Sequence, residues 1–182
     1  SLAIPHNSNI SGGATFSLND YSGNPMDEAY TKKRALNEPL TEITQVKGTS
    51  ETHPLLSKND EWAAFEVKTG HEGEKLISNL KGSYVRNAYL RGLGLSEKGF
   101  TNPYKFGLIG STDAHSGLSS SEEGNFWGKM AKDSTPETKK RGGISPVSSN
   151  GWDMSASGVA AVWATENTRE ALYAAFKRKE VY

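Results

Sequence analysis

The sequence contains no cysteine, no long apolar run and no net charge. Without cysteine, the chain forms no disulfide, no zinc–thiolate site and no cysteine nucleophile. Its 21 basic and 21 acidic residues cancel, which argues against binding nucleic acid or an anionic membrane through bulk charge. No apolar run reaches the roughly 18 residues that span a bilayer. We therefore expect a soluble protein, cytoplasmic or periplasmic, with neither kind of partner.

The chain has 182 residues, enough for one domain with a hydrophobic core, so we expect residues 1–182 to form a single α/β domain. The chain starts at Ser1 without a methionine and ends directly after a helical pattern. We interpret it as the C-terminal part of a longer protein. The incomplete sheet would then expose an edge, through which the protein could self-associate.

Apolar and polar residues alternate in a way that predicts strands and helices in turn. The predicted strands are 2–4, 40–46, 106–110 and 159–164, and the predicted helices are 25–36, 57–65, 81–92 and one beginning after Asn167. Residues 116–151 have few apolar side chains and are predicted to form a long loop. This order favours an α/β fold, with a parallel sheet of about four strands and flanking helices.

Acidic and imidazole side chains follow three of the predicted strands. His6 comes after the first, Glu51 and His53 after the second, and Asp113 and His115 after the third. The carboxyl ends of parallel strands lie on one face of a sheet, which is where α/β proteins build their sites. We therefore expect these side chains to gather on one face.

The segment "GSTDAHSG" places Asp113 and His115 two residues apart, directly after an apolar run. In extended backbone such residues point the same way, so both can bind one metal ion. A mixed oxygen and nitrogen set suits Zn, Mn or Fe. Alternatively, Asp113 caps a turn and His115 is a surface residue. His6, in "IPHNSN", is interpreted as a further ligand, with a hydrogen-bonded loop histidine as the alternative.

Other polar residues have several possible roles. His53, close to Glu51, could be a metal ligand, a phosphate contact, a proton donor or a turn residue. Glu42 could lie at a sheet edge or inside a barrel. Asn125 and Lys129 could reach a substrate or simply pack within the loop.

Other chemistries fit the sequence less well. Ser111 is not part of a G-x-S-x-G nucleophile elbow, and there is no P-loop or G-x-G-x-x-G motif. The aromatic residues are scattered, with no basic stripe between them, which argues against stacking on nucleic acid. His71 lies in a polar segment and is assigned no role.

The motifs "IPHNSN" and "IGSTDAHSG" resemble the PHP (polymerase and histidinol phosphatase) superfamily of metal-dependent phosphoesterases, in which two such strand ends supply metal ligands. A closer resemblance, over nearly the whole chain, is to the PHP-like domain-of-unknown-function family 3604. The segments that carry it are "LAIPHNSNISGG", "EITQVKGTSETHP", "NPYKFGLIGSTDAHSGL", "EEGNFWGK" and "SGVAAVWATENTREALYAAFKRKEVY".

The resemblance implies a distorted, TIM-like (β/α)7 barrel, with His6, Asp113 and His115 as metal ligands and with Glu51 and His53 near the site. It implies hydrolysis of a phosphorylated small molecule by water activated on divalent metals, about two or three in a complete site. His53 would protonate the leaving group.

This chain departs from the superfamily pattern because it lacks the H-x-H motif. It would then hold only about half of the ligand set, and we expect it to be inactive alone. Two alternatives remain. One is a degenerate PHP-like module that binds or scaffolds without catalysis, and the other is a metal-dependent amidohydrolase that cleaves a C–N bond.

Overall fold

A computed structural model describes residues 1–68, 77–118, 120–131, 135 and 154–182. His71 and most of the predicted loop at 116–151 lie outside these residues. The helices are α1 (Glu28–Asn37), α2 (Ile77–Leu80), α3 (Val85–Glu97) and α4 (Arg169–Arg178), and the strands are β1 (Leu40–Gln45), β2 (Gly48–Thr49) and β3 (Gly107–Gly110). Short 3-10 turns occur at Ser8–Ile10 and Glu123–Asn125.

The described sheet has three strands in the order β2-β1-β3. β1 pairs with β3 in parallel and with β2 in antiparallel orientation, and its register against β3 shifts between Glu42 and Thr44. The mixed α/β class and the parallel pairing of the predicted strands 40–46 and 106–110 are confirmed. The described residues contain neither the expected four-stranded parallel sheet nor a closed barrel.

The prediction of a strand at residues 2–4 was wrong. This segment runs beside the sheet, where the Ala3 N–H donates to the carbonyl of Asn37 at the end of α1. The Pro5 carbonyl then accepts the Glu42 N–H of β1 at 2.9 Å. Because only one of these bonds reaches β1, no ladder forms, but the contact does place the following loop against this strand.

The prediction of a strand at residues 159–164 was also wrong. Val162 forms one isolated antiparallel bridge with Val181. The backbones of Ala161 and Tyr182 donate to each other's carbonyls at 2.8 and 3.0 Å. This segment therefore pairs with the chain end that follows α4, so its β-branched and aromatic residues do not join the sheet.

The helices begin where a side chain caps them. Asp27 accepts the Tyr30 N–H at 2.7 Å, so α1 starts at Glu28 rather than at residue 25. Thr168, and not the predicted Asn167, caps α4 by accepting the Ala171 N–H at 3.3 Å. Residues 57–65 form successive turns instead of the predicted helix. None of the helices described is long and apolar enough to cross a membrane.

The hydrophobic core joins α1 and α3 to the segment that leads into β3. Phe16 is fully buried and lies 5.7 Å from the Tyr104 ring in an edge-on arrangement and 5.5 Å from the Phe106 ring. The other buried members of this cluster are Met26, Val85, Ala88 and Leu95. Since Phe106 directly precedes β3, the core fixes the strand whose end carries Asp113 and His115.

Glu28 links α1 to this core through Thr101. Its two carboxylate oxygens accept the Thr101 N–H at 2.8 Å and the Thr101 hydroxyl at 2.9 Å. The bond from the Thr101 N–H, then that from the hydroxyl, then Lys32, lower the pKa of Glu28 from its ordinary 4.5 to about 2.

We expect an NMR titration of the Glu28 carboxyl to show a midpoint near pH 2, and Thr101→Val to raise that midpoint. Because the folded pKa lies below the unfolded one, the stabilisation from Glu28 is complete above pH 4.5 and disappears as pH falls through about 2. The replacement Lys32→Gln removes a weaker contact and should shift the midpoint less. A wild-type midpoint near 4.5 would contradict this account.

Candidate functional site

Asp113 stands at the centre of a polar cluster beyond the end of β3. Its Oδ2 accepts hydrogen bonds from Lys47 Nζ and, at 2.6 Å, from Lys129 Nζ. Its Oδ1 lies 3.1 Å from His115 Nε2. We call these four residues the Asp113 cluster. The structure therefore brings the predicted Asp113 and His115 side chains together, with two lysines beside them.

Backbone hydrogen bonds beyond the sheet position this cluster. The Val46 N–H donates to the Thr112 carbonyl at 3.2 Å, which extends the contact between the two chain segments past the last paired residues. Lys47 follows directly on that segment. The His115 N–H donates to the Lys129 carbonyl at 2.6 Å, so the loop that carries Lys129 returns to the strand end.

The charges in the cluster are set by these contacts. Partial burial opposes ionisation of Asp113, but the hydrogen bonds from Lys129 and Lys47 outweigh burial and hold its pKa well below the usual range. Burial lowers the pKa of Lys47, and the contact with Asp113 opposes that change. Asp113 is therefore a carboxylate at neutral pH, as a metal ligand or a hydrogen-bond acceptor must be.

Glu42 is a second carboxylate close to the cluster. Its Oε2 accepts the Asn7 N–H at 2.9 Å and Gln45 Nε2 at 3.1 Å. Burial raises the pKa of Glu42, and the negative charge of Asp113 raises it further, while the hydrogen bonds and the nearby His6 lower it. Glu42 thus interacts electrostatically with both the predicted His6 and the predicted Asp113, although His6 itself is exposed.

Buried acceptor oxygens flank Glu42 without a donor. Asn7 Oδ1, Ser8 Oγ and Gln45 Oε1 have no hydrogen-bond partner within the described residues. An unpartnered buried oxygen is costly and suits a cation or a bound ligand. By element type, oxygen and imidazole donors of this kind suit a divalent metal.

The described residues do not form a complete metal site. Among them, no group of three or more histidine, aspartate and glutamate side chains is placed to hold a metal ion. One of the two Asp113 carboxylate oxygens, Oδ2, is hydrogen-bonded to two ammonium groups. The donors therefore suit a metal by their chemistry, but within the described residues their number and placement do not make a metal site.

A family model described as "Protein of unknown function (DUF3604)" matches residues 1–182. The chain belongs to the DUF3604 family. This confirms the predicted resemblance to family 3604, while the predicted resemblance to the PHP superfamily stays a prediction. Searches among curated proteins and among solved structures found no significant match.

In this DUF3604 chain, Glu51 follows β2 directly after Ser50 and lies in an ion-pair network. Its Oε1 accepts Arg86 Nε at 3.0 Å, and Arg86 Nη1 donates to Asp60 Oδ2 at 2.6 Å. Glu51 and Arg86 also line an open cleft of about 260 Å³ together with exposed Trp62 and Phe65. Its predicted catalytic role stays a prediction.

His53 is buried, with only 4% of its surface exposed. Its Nδ1 accepts the Leu55 N–H at 3.2 Å, and its ring lies 5.7 Å from that of Tyr84. Because Nδ1 is an acceptor here, the proton of a neutral His53 is on Nε2. Proton donation, the role predicted for His53, would require the imidazolium form, in which Nδ1 can no longer accept the Leu55 N–H.

The sequence analysis missed Lys47, the one member of the cluster that it did not consider. The residue directly follows the run "LTEITQV", so the rule that polar residues after strands form sites would have included it. The prediction considered only the acidic and imidazole side chains that follow the strands, and Lys47 is neither. Asn7 and Gln45 were missed as well, because their unpartnered oxygens become evident only once burial is known.

Proposed function

We propose that this DUF3604 chain supplies part of the active site of a metal-dependent hydrolase, a phosphoesterase on a PHP-type barrel, that acts on a phosphorylated small molecule. The observation that carries the proposal is the Asp113–His115 pair at the carboxyl end of a parallel strand, with Glu42 and two lysines beside it. The parallel β1–β3 pair supports the barrel, since parallel strands are its building units.

His6, Asp113 and His115 would hold the metal, and Glu42 would be a further ligand at that site. When bound, divalent metals in such sites polarise a phosphoryl oxygen and lower the pKa of a water molecule, which then attacks near neutral pH. The remaining ligands would come from outside the residues described here, among which no complete set of donors is found.

The chain's own residues prepare these groups. The two lysines keep Asp113 ionised, so no proton has to leave before the carboxylate can bind a cation. Lys129 Nζ lies 2.7 Å from the Asp113 carbonyl oxygen and 3.3 Å from His115 Nε2, and so holds backbone and ring in one arrangement. His53 would protonate the leaving group as an imidazolium, in which Nδ1 has released the Leu55 N–H.

A degenerate module without metal is the second candidate. The observation that favours it is the occupation of Asp113 Oδ2 by two ammonium groups, which compensate the carboxylate without a metal. In that function the cluster would be a structural ion-pair network, and neither metal binding nor hydrolysis would be found.

Metal analysis separates the two functions. We expect protein purified without chelator to contain Mn, Fe or Zn in stoichiometric amount. His115→Ala and Asp113→Asn should weaken metal binding by about tenfold or more, and the purified variants should therefore contain less metal. Elemental analysis checks this, with Glu97→Gln, an exposed acid at the end of α3, as the matched control.

If this chain alone contains no metal, the same measurement on a longer protein that contains it would decide between a divided metal site and a degenerate one. Absence of metal there, or metal contents that do not respond to His115→Ala and Asp113→Asn, would contradict the hydrolase. If metal is present, a panel of phosphomonoesters and amides would distinguish a phosphoesterase from an amidohydrolase.

A further inference from the structure

Two lysine ammonium groups contact the same carboxylate oxygen. The side chains of Lys47 and Lys129 are only 14% and 11% exposed. In the part of the chain that the structure describes, Asp113 is the one carboxylate that either lysine contacts. Two positive charges therefore face one negative charge, which leaves the contact with an excess of positive charge.

Glu42 does not remove this excess through a direct contact. Its carboxylate is hydrogen-bonded by the Asn7 N–H and the Gln45 amide, and it forms no ion pair with a lysine within the described residues. His115, the remaining titratable group against the lysines, cannot supply negative charge. The two ammonium groups that share Asp113 Oδ2 therefore favour an anion, and the more distant charge of Glu42 opposes it.

Lys47 also has donors to spare. An ammonium group carries three N–H donors. Lys129 directs its donors at Asp113 Oδ2, the Asp113 carbonyl and His115 Nε2. Lys47, by contrast, donates to Asp113 Oδ2 only, among the residues described, and has the like-charged Lys129 beside it. At its degree of burial, unused donors are costly, and an acceptor-rich ligand would satisfy them.

We propose that Lys47 binds the phosphate group of the substrate, donating to the oxyanion beside the Asp113 cluster, while Lys129 holds Asp113 and His115 in position. That the bound phosphate belongs to a substrate rests on the hydrolase proposed above, but the binding of phosphate by Lys47 does not. An oxyanion such as phosphate, with several acceptor oxygens, matches the sign of the excess charge and the unused donors of Lys47.

Calorimetric titration with inorganic phosphate at low ionic strength tests this assignment. We expect the wild-type protein to bind phosphate more tightly than acetate. Lys47→Gln should weaken phosphate binding by about ten- to a hundredfold, as for loss of a charge-assisted hydrogen bond. Lys47→Arg should retain most of the affinity, and Lys33→Gln, an exposed lysine of α1, should leave it unchanged.

Three results would overturn the inference: no phosphate binding by the wild type, equal binding of acetate, or an unchanged phosphate affinity in Lys47→Gln. If Lys47→Gln does not fold, acetylation of the wild-type protein replaces it. Phosphate should then slow the modification of Lys47 but not that of Lys33, as measured by mass spectrometry, and equal protection would refute the site.

Metal content measured on the same samples separates this inference from the proposed function. Phosphate binding that depends on Lys47 in a longer protein that contains this chain but holds no metal would refute the hydrolase and preserve the anion site. Bound metal together with phosphate binding that ignores Lys47 would refute the anion site alone. A lower melting temperature of Lys47→Gln with unchanged phosphate affinity would assign Lys47 a structural role only.

Discussion

Replacement of Phe16 by alanine should lower the free energy of unfolding by about 3–5 kcal/mol, the range for buried aromatic residues. Phe16 is fully buried between the rings of Tyr104 and Phe106, at centroid distances of 5.7 and 5.5 Å. Truncation would remove both ring contacts and leave a cavity where the segment before β3 meets α3.

Urea denaturation of Phe16→Ala and Leu90→Ala would measure this difference. Leu90 is also a large apolar residue, but it is 63% exposed on α3, so its replacement should change the stability by no more than about 0.5 kcal/mol. Equal losses in the two variants would show that Phe16 is not at the centre of the core. A selective loss would establish that the aromatic cluster supports β3 and hence the strand end with Asp113.

Strong local patterns made part of the fold predictable. The alternating, β-branched run of β1 and the apolar run of β3 were predicted within a residue or so of their observed ends. The terminal segments 2–4 and 159–164 look equally strand-like, but a strand requires a partner. Their partners, a helix end and the chain terminus, are determined by tertiary structure and leave no local signal.

In the candidate site, contacts between residues close in sequence were predictable, and contacts between distant residues were not. Asp113 and His115 lie two residues apart after a strand, so their proximity follows from local geometry. Glu51, by contrast, is held by Arg86, which is 35 residues away in the sequence. Lys47 approaches Asp113 across 66 residues. Contacts over such separations depend on how β1, β2 and β3 are arranged, which residue types alone do not determine.

Two glycines of α3 should respond in opposite ways to the same substitution. A Cβ atom on Gly92 would lie 2.1 Å from Asn102 Oδ1, whereas one on Gly94 would have no atom within 4 Å. Alanine at position 94 should therefore stabilise the protein by about 0.5–1 kcal/mol, because it reduces the entropy lost in forming the helix.

The clash at Gly92 disrupts a particular hydrogen bond. Asn102 Oδ1 accepts the N–H of Tyr104 at 2.8 Å, and Tyr104 is fully buried. An alanine at position 92 has to displace the Asn102 side chain and leave that N–H without its acceptor. Overpacking and the lost bond together should lower the free energy of unfolding by about 2–4 kcal/mol.

A double-mutant cycle connects this loss to Asn102. In an Asn102→Ala background the clash and the hydrogen bond are both already absent, so adding Gly92→Ala should cost little or even stabilise α3. A cost that is the same in both backgrounds would locate the strain elsewhere along the helix. α3 packs against the segment leading into β3. If Gly92→Ala is costly in the wild type but not in Asn102→Ala, the close approach of Gly92 and Asn102 helps to hold this segment in place.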